Sequence, residues 1–89
     1  MSKTPPSREL LQRAFRLCLR NLRLASGIAQ EKLALNAGID RAYMSGLERG
    51  KHAPTIYTLY KLFVALDISF VDFAQEFERS LRRVRRDEA

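Results

Sequence analysis

The stretch "QEKLALNAGIDRAYMSGLERGK" fills residues 30–51 and decides the fold. Two short helical patterns meet in it across a tight turn. From Gln30 to Ala37, Leu33, Ala34 and Ala37 make one apolar side, and Gly38 stops the pattern. After the turn, Asp40 is placed to cap a helix that reaches about Arg49 and ends at Gly50. Ala34 and Ala37 are small enough to let another helix approach closely.

Two short helices joined by about three residues that include a glycine describe a helix-turn-helix. Steps of about 100° around the second of them orient it. Met44 and Leu47 are its only large aliphatic side chains and point inward. Ala42, Ser45, Gly46 and Arg49 then lie on the outward face, with Arg41 and Tyr43 flanking it. Glu48 falls near the buried edge. A mid-helix glycine costs about 1 kcal/mol relative to alanine. With Gly46 facing outward, core packing does not explain it. The alternatives are a tolerated surface defect or a face that another large object approaches closely. A DNA major groove, about 12 Å wide, admits such a helix.

Outward from this motif, helical periodicity recurs and strand alternation is absent. Ser7 caps a first helix over Arg8 to Ala25, with Leu11, Phe15, Cys18, Leu22 and Ala25 on one face. Thr55 caps a fourth helix to Leu66, whose core side is Ile56, Leu59, Leu62, Phe63 and Leu66. Ser69 and Asp72 form a capping-box-like pair that opens a fifth helix, Phe70 to about Arg86. Phe70, Phe73, Ala74, Phe77, Leu81 and Val84 line that helix. The expected fold is an all-α, compact five-helix domain spanning residues 1–89.

With 89 residues, 46% of them hydrophobic, the chain has enough material for one modest core. No apolar run approaches the ~20 residues of a membrane span, and the N-terminus lacks a signal peptide's apolar stretch. The single cysteine, Cys18, rules out an internal disulfide framework and lies in an apolar stripe, as a buried thiol does. The expected compartment is the cytoplasm, at the nucleoid. A net charge of +6 points to an anionic partner. Catalytic equipment is thin: one histidine, His52, no metal-ligand spacing and no phosphate loop. The expectation is therefore no enzyme, no cofactor, no metal and no small-molecule ligand.

From Leu19 to Phe73 the chain resembles the phage-repressor type of helix-turn-helix, the Xre/Cro-like family. The residues that carry the resemblance are Arg20 and Arg23 before Gly27, "QEKLA" with Gln30, Gly38, "LERGK" and "PTIYTL". Within the family, "IDRAYMSGLERG" is similar to the controller proteins of restriction–modification systems. The resemblance implies a symmetric dimer with the third helix in the major groove. It places Arg41, Ala42, Ser45 and Gly46 at base edges and Gln30 on a phosphate. It makes Arg23 and Glu48 an intramolecular ion pair. Two positions depart from the family: Ala29 stands where Ser or Thr usually caps the second helix, and Asp67 where glycine is usual after the fourth.

Arg41 suits base readout, because its guanidinium fork matches the O6 and N7 acceptors of guanine. Tyr43, Arg49, Lys51 and His52 are further candidates for phosphate contact. Tyr43 can also cover the apolar seam beside Leu47; for Lys51 and His52 the alternative is a solvated loop residue, with phosphate contact the favoured reading for Lys51. Tyr57, Tyr60 and Val64 lie on the outer face of the fourth helix and, with Phe77 and Leu81, suggest a two-fold interface. Leu81 and Val84 have an alternative, packing on Leu10 and Leu11. The run "ERSLRRVRR" ordinarily makes a solvated helix face; DNA flanks or an acidic partner are the other readings. The expected function is a sequence-specific regulator that binds double-stranded DNA as a homodimer. RNA polymerase contact is open. The competing readings are an antitoxin that binds a toxin and autoregulates, and a protein or membrane adaptor using the basic last helix.

Overall fold

The computed structural model describes residues 4–88, which form five helices: α1 (Arg8–Ala25), α2 (Gln30–Ala37), α3 (Arg41–Glu48), α4 (Ile56–Leu66) and α5 (Phe70–Glu88). Local chemistry sets most of the boundaries. Ser7 Oγ accepts the Leu10 N–H, Asp40 Oδ2 the Tyr43 N–H and Thr55 Oγ1 the Thr58 N–H, each at 3.1 Å. Ser69 and Asp72 close a reciprocal box at the start of α5, at 3.0 and 2.9 Å. Those bonds hold the exposed Asp72 carboxyl below the usual carboxylate range, the Ser69 backbone N–H contributing most. Gly38 closes α2 in the left-handed region. Asp67 does the same for α4, at φ 56° and ψ 48°. Aspartate is one of the few non-glycine residues that visit this region readily. α3 stops at Glu48, with Arg49 as its cap, and α5 runs on to Glu88.

α5 lies antiparallel along α1. Asn21 Nδ2 donates to Glu76 Oε2 at 3.2 Å near one end, and Arg13 pairs with Glu88 at the other. α2, α3 and α4 close the opposite side around Leu33, Met44, Leu47 and Leu62, all essentially inaccessible to solvent. Phe15 and Leu19 join this core from α1. An aromatic cluster extends it into α5, with Phe63 and Phe73 rings 5.1 Å apart and Phe73 and Phe77 rings 5.7 Å apart.

Three expected core positions are exposed instead. Ala25 sits on the last turn of α1, and the buried set of that helix is Ala14, Phe15, Cys18 and Leu19. The buried stripe is widened because α1 packs against α5 on one side and α3 on another, and it stops short of the last turn. Ile56 is 62% exposed in the first turn of α4, and Phe70 is 43% exposed at the start of α5. Both lie at helix starts, at the rim of the core. Cys18 is buried as read, and its thiol is pushed up to about 12, by burial first and the Glu76 charge second. Val84 is also buried, beside Leu17 of α1. Among the described residues no helix is long and apolar enough to cross a membrane, and no cluster of His, Cys, Asp and Glu is arranged to hold a metal.

Candidate nucleic-acid interface

α3 is held from both ends. Asp40 caps its start, and the Arg23 guanidinium grips Glu48 in its last turn. Arg23 Nε donates to Glu48 Oε2 at 2.6 Å and Nη2 to Oε1 at 3.0 Å, while Nη1 reaches the Ile28 carbonyl at 3.0 Å. Both side chains are largely buried, at 14% and 6% exposure. One arginine therefore ties α1, the loop before α2 and the end of α3 into a unit. A two-pronged arginine–carboxylate pair fixes orientation as well as distance.

The outward surface of α3 differs from the wheel at one residue. Arg41 and Ala42 are exposed and Ser45 is half-buried, but Gly46 is buried. Its cover comes from outside the helix. The Lys51 N–H donates to the Gly46 carbonyl at 2.8 Å and turns the chain back. The next residue, His52, then lies over α3 with its ring stacked on Tyr43, centroids 5.0 Å apart and planes 13° from parallel. A methyl group at Gly46 would stand 2.6 Å from His52 Nε2. In this conformation the imidazole occupies the space that a side chain at position 46 would take. In this arrangement the surface offered at that point is His52, and Gly46 itself is not open to a base edge.

Around this face the other candidates fall at its margins. Tyr43 is half-buried and packs against the core, while its ring also carries His52. Lys51 and Arg49 are exposed, and Arg49 Nε leans back to the Ser45 carbonyl at 3.4 Å. Gln30 is half-buried at the first position of α2. Ala29 before it supplies no side-chain cap. The first backbone N–H groups of α2 therefore have no capping side chain, and uncapped helix starts favour anions in general. Arg41 Nη2 lies 4.0 Å from Glu31 Oε2, and both side chains are about three-quarters exposed. Such a pair is worth at most about 1 kcal/mol, so Arg41 leaves it readily for a stronger acceptor.

A helix-turn-helix family model, HTH_3, matches residues 19–73. The chain belongs to the Xre/Cro-like helix-turn-helix family. It is 43% identical over 51 residues to the uncharacterized HTH-type transcriptional regulator y4dJ of Sinorhizobium fredii, a match covering 57% of this chain and 66% of that protein. It is 32% identical over 65 residues to the HTH-type transcriptional regulator SutR of Escherichia coli, of which it spans 36%. Among solved structures it is similar to the restriction–modification controller protein C.Esp1396I. That match has 31% identity and a TM-score of 0.75, and covers 80% of this chain and 93% of that one. C.AhdI of Aeromonas hydrophila, another controller, matches at 40% identity and a TM-score of 0.66 over 70% and 94% of the two chains. C.Esp1396I has also been solved as a tetramer with its natural 35-base-pair operator.

Within this family fold, the outer face of α4 remains largely open to solvent, although the Tyr60 ring meets Phe63 edge-on at 5.4 Å. Tyr57, Tyr60 and Val64 are 73%, 49% and 79% exposed. Phe77 is different: it packs against the chain's own core, because α5 lies across the aromatic cluster. Leu81 is half-buried. Sequence reasoning missed two features. The Arg41–Glu31 pair joins the starts of α2 and α3, and only the opposite charges at two adjacent helix starts signalled it. The His52 cover had no helical signal, since a wheel records only the helix on which it is drawn.

Proposed function

We propose that this protein is a sequence-specific transcriptional regulator that places α3 in the major groove and binds a near-palindromic operator as a homodimer. The observation that carries this reading is the exposed N-terminal face of α3. Arg41 and Ala42 project from a helix locked by its Asp40 cap and the two-pronged Arg23–Glu48 pair. Arg41 reads guanine, Ala42 meets a thymine methyl and Ser45 offers a hydroxyl to a neighbouring base. Gln30, the α2 backbone N–H groups, Tyr43, Arg49, Lys51 and His52 hold phosphates and set the register. Tyr57, Tyr60 and Val64 form the centre of the two-fold contact, with Leu81 and the exposed edge of Phe77 at its margin. The operator complex of C.Esp1396I supports the DNA reading.

Selection of bound duplexes from a random pool at physiological salt tests this. A two-fold consensus with a guanine in each half, relaxed by Arg41→Ala, is the expected result. Half-sites should lie about 10–10.5 bp apart or a multiple of that. Binding without a consensus, vanishing as salt rises, would leave only non-specific charge attraction.

A further inference from the structure

We propose that the groove between α1 and α5 binds the phosphodiester backbone of DNA outside the bases read by α3, so that the protein's footprint is longer than its recognition site. The proposal rests on the reading that α3 enters the DNA groove. The cavity has a volume of about 420 Å³ and an apolar floor of Leu17 and Val84. Arg16 and Arg20 of α1, Arg83 of α5 and Arg49 at the end of α3 line its walls.

Charge bookkeeping separates these four from their neighbours. Arg13 and Glu48 also border the groove, but Glu88 and Arg23 neutralise them. Four guanidinium groups then face one remaining carboxylate, Asp87. Arg16, Arg20 and Arg83 make no hydrogen bond or ion pair within the described chain. Converging like charges repel, and an anion relieves that repulsion.

Position argues for DNA as the source of the anion. Arg16, Arg20 and Arg23 recur at helical spacing and form a row about 10 Å long on α1. One end of the row holds Glu48 of α3. The other touches the loop after α3: a methyl group at Gly50 would stand 3.3 Å from Arg16 Cδ. Arg49 belongs to both surfaces. The groove therefore adjoins the C-terminal end of α3 and the loop that follows it, and a concave basic channel fits the convex ridge of a phosphate backbone.

The test is the salt dependence of binding to duplexes of graded length around the selected site. Each phosphate contact contributes about 0.9 to the slope of log K against log salt. Arg16→Gln/Arg20→Gln/Arg83→Gln should make that slope shallower by about 0.9 per contacting arginine in the dimer. Trimming the flanks should abolish the difference from wild type before it abolishes recognition. Arg82→Gln/Arg85→Gln/Arg86→Gln removes the same charge from residues outside the groove and should keep the wild-type slope. Equal slopes for all three proteins would overturn the proposal. So would a control that loses as much as the groove variant, since the effect would then be the general field. Wild-type protein that selects no duplex would sink the regulator reading itself, and this proposal with it.

Discussion

Gly46→Ala puts two opposing effects of known size on one atom. Alanine in place of a helical glycine is favourable by roughly 1 kcal/mol. The added methyl lands 2.6 Å from His52 Nε2, well inside contact distance. His52 is a solvent-exposed loop side chain, so it moves rather than α3. The move breaks its stack on Tyr43, a contact of about 0.5–1.5 kcal/mol by analogy with aromatic pairs. The two terms nearly cancel, and the urea midpoint should stay close to wild type. The His52 ring resonances should nevertheless shift, because they leave the face of the Tyr43 ring. His52 is the chain's sole histidine, so its proton signals are unambiguous. In a His52→Ala background the methyl meets nothing from that ring, and the full gain of roughly 1 kcal/mol should emerge. Refutation would be Gly46→Ala raising stability by that full amount in wild-type background with unmoved His52 signals.

Three further perturbations probe the frame that holds α3. Glu48→Ala removes one partner of a largely buried pair and should cost about 3 kcal/mol in chemical denaturation, with Glu48→Gln less damaging. Ala29→Ser supplies the cap that α2 lacks, and should raise the urea midpoint by the equivalent of about 1 kcal/mol. The third concerns acid. Burial pushes Glu76 upward, but hydrogen bonds from Arg79 and Asn21 outweigh it and hold the carboxyl below its ordinary range. Asp72 is held low as well. Carboxylates depressed in the folded state stabilise it above their unfolded values, and that contribution disappears as pH falls through the lowered ones. Glu76→Gln should therefore flatten the acid limb of stability measured between the ordinary carboxylate range and lower pH.

The starts of α1, α3 and α4 and the end of α2 were legible because caps and breakers sit there: Ser7, Asp40, Thr55 and Gly38 each act through a side chain or φ angle of their own. The inward direction of Met44 and Leu47 was legible because α3 has no other large aliphatic residues. What escaped were relations between elements. Gly46 is covered by a residue six positions later, delivered by a loop that the Lys51 N–H closes. Ala25 and Ile56 fit their helical stripes and are exposed because the neighbouring elements do not cover those turns. The arginine groove joins residues from α1, α3 and α5. Sequence spacing within any one helix shows a basic face and no more.

Arg41 at the start of α3 is the residue proposed to read a guanine. A double-mutant cycle measures it: wild type and Arg41→Ala, each titrated against the selected operator and against one with that guanine replaced in both halves. A coupling of about 1–3 kcal/mol per half-site is expected, the size of a two-pronged arginine–guanine contact. A coupling near zero, with Arg41→Ala weakening both duplexes equally, would make Arg41 a phosphate contact and rule out base readout by it.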